Sequence, residues 1–144
     1  MDQSFEMTIE SDSTGIPAVS ASLEEVMHAH GFSTDDILDT QLAVEEVITN
    51  IINHGYKNGC GEIIISCRIN LYQAEVQIKD FAPRFDPLSL PEPELDDTIE
   101  NRKIGGLGVF LIRQVMDEIS YQYENGQNIL VMKKRKTGSV PDCI

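Results

Sequence analysis

The sequence predicts an α+β fold, a two-layer α/β sandwich in which three helices cover one face of a mixed, mostly antiparallel sheet. Helix-type and strand-type periodicities follow one another in the order strand, helix, helix, strand, strand, loop, helix, strand, strand. Strands outnumber the helices that could serve as parallel crossovers, so most neighbours must pair antiparallel. With 144 residues the chain is long enough for one domain with a proper core and short for two. The expected division is a single domain over residues 1–134, followed by a disordered tail over 135–144.

The elements are justified in order. Phe5, Met7 and Ile9 alternate with polar residues, which suits a first strand. Gly15-Ile16-Pro17 opens a helix whose Val19, Leu23, Val26 and Met27 share one face, with Gly31 as its stop. His28 and His30 stand at its C-terminal end, where they suit the helix dipole better than a metal. The central helix opens at Ser33-Thr34-Asp35-Asp36, a good N-cap and first turn, and runs to Gly55. At ~100° per residue, Ile37, Val44, Val47, Ile48, Ile51 and Ile52 fall on one broad apolar arc. Asp39, Glu46, Asn50, Asn53 and His54 fall on the narrow opposite stripe. Leu38 and Leu42 flank that stripe, which predicts a helix covered on most sides.

Lys57-Asn58-Gly59 marks a turn, and Glu62–Ile69 and Ala74–Lys79 read as a hairpin joined through Asn70–Gln73. The acidic, Pro-rich stretch from Leu88 to Arg102 lacks periodicity and is long for a connection in a small domain. Such stretches are disordered or act as lids over a site. Gly105-Gly106-Leu107-Gly108 runs directly into a helix over VFLIRQVMDEI. Two closing strands, Ser120–Glu124 and Asn128–Lys133, flank a turn at Asn125-Gly126, and the chain from Lys134 reads as tail.

Composition excludes several functions. A formal charge of −13 argues against nucleic-acid binding, which needs clustered Lys and Arg. Any polyanionic ligand must therefore be held by backbone amides, a metal ion or a few placed basic groups. Cys60, Cys67 and Cys143 are odd in number and form no CxxC pair, which predicts a reduced, cytoplasmic setting without structural zinc. The N-terminal residues have neither the basic nor the apolar region of a signal peptide, and no apolar run approaches a membrane span.

Two features carry chemistry. A carboxylate and an amide one helical turn apart, Glu46 and Asn50, would need partners if buried, at roughly 1–3 kcal/mol each when unpaired. Gly105-Gly106-Leu107-Gly108-Val109 leaves backbone N–H groups free at a helix start, where about half a positive charge accumulates. It is neither a P-loop nor a Rossmann fingerprint.

Taken together, Glu46-x-x-x-Asn50-x-x-x-His54-Gly55-Tyr56, then Asp80 at a strand end, then Gly106-Leu107-Gly108, resembles the GHKL ATPases (gyrase, histidine kinases, MutL). Within them, EEVITNIINHGY and GGLGVFLIRQVMDEISY resemble the bacterial anti-sigma-factor serine/threonine kinases, from about Phe5 to Lys134. The resemblance implies a Bergerat-type ATP-binding fold with ATP and Mg²⁺ as cofactors. Asn50 matches the Mg²⁺ ligand, Glu46 the general base, and Asn53 and His54 the pocket rim. Asp80 matches the acceptor for the adenine amino group, and Gly106, Leu107 and Gly108 the second glycine box. Arg102 and Lys103, just before that box, would neutralise the γ-phosphate.

Of the Glu45-Glu46 doublet, only Glu46 shares Asn50's face at the four-residue spacing. Ala82 stands where the family usually has Gly, and Pro83 follows it, so a differently shaped turn beneath the adenine is expected. The chain leaves no room for the phosphoacceptor-histidine domain of a histidine kinase. The resemblance implies a protein serine/threonine kinase that phosphorylates a STAS-type anti-anti-sigma partner and sequesters a sigma factor. It would work as a homodimer, with no direct contact to nucleic acid or membrane. The alternative is a non-catalytic nucleotide-binding module that switches between partners.

Overall fold

A computed structural model describes residues 3–86 and 106–137, with 106–109 as backbone only. Alternating residues along Gln3–Glu10 make the edge strand β1, which turns Phe5, Met7 and Ile9 inward. A short 3₁₀ turn leads into α1, Ile16–Ala29, with Pro17 in its first turn. Gly31 takes φ +81° just past α1, and the Phe32 N–H donates back to the Met27 carbonyl at 3.0 Å. That left-handed stop is cheap only for glycine. Next comes α2, Thr34–Asn50, capped by the Ser33 hydroxyl, which accepts from the Asp36 N–H at 3.1 Å.

The hairpin forms as β2, Glu62–Ile69, and β3, Gln73–Asp80. Its turn is held by the Asn70 side chain, whose oxygen accepts from the N–H groups of Tyr72 and Gln73. After α3, Gly106–Val115, the strands β4, Glu118–Glu124, and β5, Gln127–Arg135, close the sheet. Asn125 and Gly126 both take positive φ, the geometry a two-residue hairpin prefers.

The sheet order is β1-β2-β3-β5-β4, and every pairing among the described strands is antiparallel. The sheet is thus not mixed: β4 runs in the same direction as β3, but β5 inserts between them and pairs antiparallel to both. Ile63, Ile65, Cys67, Val76, Ile78, Leu130 and Met132 point under the helices and are buried. The alternate positions, such as Ile64, Gln77 and Val131, stay partly open to solvent. Burial pushes the Cys67 thiol up to about 12, so it acts as an inert core group.

α2 lies against both α1 and α3, with Val44, Val47 and Ile48 in the core. Its outer flank differs from the sequence reading, since Leu38 is 56% and Leu42 39% exposed. Among the described residues, the helix layer is one helix thick and no element covers that side. The third helix also stops earlier than its apolar periodicity suggests. The Met116 N–H makes the last helical bond, to the Ile112 carbonyl, and the Asp117 N–H then donates to the Lys133 carbonyl at 2.9 Å. Edge pairing with β5 outcompetes another helical turn, and Ile119 sits opposite Met132 in β4.

Lys134 and Arg135, read from sequence as the start of a tail, are the last residues of β5. The Lys134 ammonium, nearly buried, donates to Asp39 at 3.1 Å and to the Val115 carbonyl at 2.6 Å, tying β5 to both α2 and α3. The Lys136 N–H donates to the Tyr72 carbonyl, and Thr137 donates its N–H and hydroxyl to the buried Asp36 carboxylate. These anchors supply what local periodicity lacked. The Leu88–Arg102 stretch and the chain beyond residue 137 lie outside the described residues.

The Asp36 clasp is expected to stabilise the fold. Asp36→Ala should lower unfolding stability by about 1–3 kcal/mol, because the buried carboxylate loses its two hydrogen bonds from the N–H and hydroxyl of the exposed Thr137. Urea unfolding checks this, and an unchanged midpoint with an unchanged slope would show the clasp to be idle.

Candidate functional site

Helical geometry changes at Asn50. The next residues, Ile51–Gly55, form a single π turn, with the Tyr56 N–H donating to the Ile51 carbonyl at 2.8 Å. Such turns accommodate one extra residue and occur often at functional sites. Here the turn buries Ile51, Ile52 and Gly55 and leaves Asn53 and His54 exposed. Despite the π turn, the 100° wheel holds for these residues, with Ile51 and Ile52 on the buried side and Asn53 and His54 on the open one. Tyr56 then locks the exit, its hydroxyl donating to the Glu62 carbonyl at 2.7 Å and accepting from the Phe81 N–H at 2.8 Å.

Asn50 itself is 5% exposed, and its Nδ2 has no hydrogen-bond partner among the described residues. Such a group costs stability unless a ligand satisfies it. Across from it, Asp80 ends β3 and is buried. Its Oδ1 accepts from the Ala82 N–H and from Asn128 Nδ2, each at 2.9 Å. Burial raises the Asp80 carboxyl above its ordinary value, against the lowering effect of those two hydrogen bonds.

Asn50 and Asp80 line one cavity between helix and sheet. Val47, Ile51 and Gly55 complete its helix side, Tyr121, Asn128 and Leu130 its sheet side, and Phe85 its loop side. The enclosed free space is ≈ 10 Å³, enough for about one water. Seating a planar ligand therefore requires the lining to open, and on the loop side the Phe85 ring stands 6.0 Å from the His54 ring.

Ala82 is buried and keeps a negative φ, since positive φ among non-glycine described residues occurs at Lys57, Asn58 and Asn125. Its side chain packs towards Gly55, where an added Cβ would lie 3.3 Å away. The Asp80 carboxylate accepting two residues on builds the turn without glycine. The altered turn thus keeps Asp80 on the cavity, with Ala82 held beside it.

The remaining predicted residues are distributed as follows. Glu46 is half-buried one turn before Asn50, whereas Glu45 is exposed. Burial, and secondarily the neighbouring Glu45 charge, raise the Glu46 carboxyl above its ordinary value. Glu46 does not line the cavity, nor do Asn53 and His54, although His54 reaches its edge through Phe85. Gly106, Leu107, Gly108 and Val109 open α3 as a backbone helix start. Arg102, Lys103 and Gly105 lie outside the described residues.

The sequence reading missed Phe85, Tyr121 and Asn128. Asn128 had a readable signal, because it occupies an inward position in the alternation Asn128-x-Leu130-x-Met132. A polar residue there breaks an otherwise apolar face.

For a divalent cation, no cluster of three or more His, Cys, Asp or Glu stands ready among the described residues. A single buried carboxamide fits an ion that keeps several waters and takes its other ligands from phosphate, as Mg²⁺ does. The unpartnered Asn50 amide, whose oxygen and nitrogen are exchangeable by rotation, satisfies that requirement.

A family model described as the histidine kinase-like ATPase domain matches residues 9–134. Serine-protein kinase RsbW of Bacillus cereus (strain G9842) is 30% identical over 135 residues, covering 91% of this chain and 84% of that protein. The enzyme of the same name from Bacillus thuringiensis (strain Al Hakam) is 29% identical with the same coverage. Among solved structures, the RsbU and RsbW domains of Rv1364c from Mycobacterium tuberculosis superpose with a TM-score of 0.65 at 16% identity. That match covers 92% of this chain and 32% of the longer one, and it speaks to the fold. Among the described residues no helix is long and apolar enough to cross a membrane.

Proposed function

Because the chain belongs to the histidine kinase-like ATPase family, and within it groups with the serine-protein kinases RsbW, we propose that it is an ATP-dependent protein serine kinase. Its substrate is a small STAS-type anti-anti-sigma protein, and in its other state it holds a sigma factor, working as a homodimer. The carrying observation is that Asn50 and Asp80, far apart in sequence, line one cavity, with the Asn50 amide buried and unpartnered. One group suits the phosphate end of ATP and the other the base.

In this reading Asp80 would accept from the adenine amino group, and Asn50 would hold Mg²⁺. Bound there, Mg²⁺ supplies charge neutralisation that this acidic chain otherwise lacks. Glu46, one turn away, takes the proton from the substrate serine hydroxyl as its oxygen bonds to the γ-phosphorus. The bond from that phosphorus to the β–γ bridging oxygen breaks, and ADP leaves. Gly106, Leu107 and Gly108 offer N–H groups at the start of α3 to the phosphates, and Arg102 and Lys103, just before them in sequence, would add positive charge. Asn53 and His54 border the entrance.

The test is incubation with γ-labelled ATP and each STAS protein encoded in the source genome. The expected result is label on a serine of one of them, abolished by removing Mg²⁺. Nucleotide binding without transfer to any of them would leave the alternative, a non-catalytic partner-switching module.

A further inference from the structure

Asn128 is a hydrogen-bond hub beneath the cavity. It stands directly opposite Asp80 in the β3–β5 register and is 4% exposed. Its Nδ2 donates to Asp80 Oδ1 at 2.9 Å and to the carbonyls of Ala82 at 3.0 Å and Pro83 at 3.3 Å. Its Oδ1 accepts from the Phe85 N–H at 3.0 Å and from the Tyr121 hydroxyl at 2.5 Å. The amide orientation is unambiguous, because a backbone N–H only donates and a backbone carbonyl only accepts. Every hydrogen-bonding position of the amide is therefore committed to protein. Asn128 has nothing left for a ligand, so its influence runs through its partners.

Those partners are the parts of the cavity that face a base. With Oδ1 of Asp80 occupied by Asn128 and the Ala82 N–H, Oδ2 is the oxygen left to accept from a ligand. The same amide fixes the 82–85 loop that carries Phe85 into the cavity. We propose that Asn128, braced by Tyr121, is the positioning residue for base recognition: it sets Asp80 to present one carboxylate oxygen to the base. This rests on the reading of the cavity as a nucleotide site, with Asp80 as the base acceptor. It assigns discrimination between 6-amino and 6-oxo purines to a pair of residues that need not touch the nucleotide.

The test is a double-mutant cycle read by titrating Mg·ATP and Mg·GTP against wild type, Asp80→Ala, Asn128→Ala and the double variant. Asn128→Ala is expected to weaken ATP about 10-fold while changing GTP by less than about two-fold, since a mispositioned Asp80 loses its hydrogen bond to the amino group. In the Asp80→Ala background the same substitution is expected to cost nothing further. Tyr121→Phe, which keeps the amide but removes one brace, is expected to reduce the ATP preference about two- to five-fold, a fraction of the same hydrogen-bond term. Should Asn128→Ala be too unstable to purify, Asn128→Leu runs the cycle with the volume filled and the amide absent.

Separable outcomes follow. ATP affinity unchanged in Asp80→Ala would overturn the base-acceptor reading itself. A loss in Asp80→Ala with none in Asn128→Ala, losses that multiply in the double variant, or equal weakening of ATP and GTP would each overturn the positioning role. The last of these is what a merely structural asparagine would give.

Discussion

Glu46→Gln is expected to lower phosphotransfer to the partner serine by about 10² or more while Mg·ATP binding stays within a few-fold of wild type. The side chain is half-buried one turn from Asn50 and outside the cavity lining, which suits the proposed role of base better than that of a nucleotide contact. Its carboxyl is raised by burial and by the adjacent Glu45. A base works only when deprotonated, so the transfer rate should fall as pH drops through this raised value, at a pH above the ordinary carboxylate range. The Gln variant should lack that limb. Glu45→Gln should be nearly silent, with the acidic limb moved slightly lower because one raising charge is gone. Single-turnover transfer across pH, paired with calorimetric binding, checks all of this. Transfer near wild type in Glu46→Gln would remove Glu46 as the base.

Asn50→Leu should separate stability from function in the opposite way. The Asn50 Nδ2 is buried without a partner among the described residues, and its neighbours Val47, Ile51 and Leu130 are apolar. Replacing it with an apolar side chain of similar size removes a desolvation cost of about 1–3 kcal/mol. Leucine is also the better helix former. The nucleotide-free protein should therefore be at least as stable as wild type. Binding should fail, because the amide proposed to hold the cation is gone. Thermal unfolding with and without Mg·ATP gives both readouts. Wild type at a hundredfold excess over Kd should gain about 2.7 kcal/mol from the ligand, and the variant almost none. Equal stabilisation of the two would refute the cation role, and a large loss of stability without ligand would mean the amide has a structural partner.

Much of the architecture was legible because it is local. The alternation in β2, the Ser33 cap, the Gly31 stop and the Asn125-Gly126 turn each follow from the conformations that a few adjacent residues permit. The spacing of Glu46 and Asn50 likewise needs only a helix, and α2 supplies it. The early end of α3 was not legible, since Met116 and Ile119 continue its apolar spacing. Pairing of Asp117 and β4 with β5 decides that boundary from across the sheet.

By itself, then, the sequence determined the fold class, the order of the elements and the residues with chemistry to offer, because periodicity and turn preference act over short stretches. Tertiary structure decided what those residues meet. It left Leu38 and Leu42 uncovered, carried Lys134 to Asp39, and drew Thr137 onto Asp36. It also put Asn128 opposite Asp80, 48 positions earlier in the chain, and so committed one oxygen of the carboxylate to the protein. Pairing across a sheet depends on register between distant segments, and no local pattern in the chain encodes that register residue by residue.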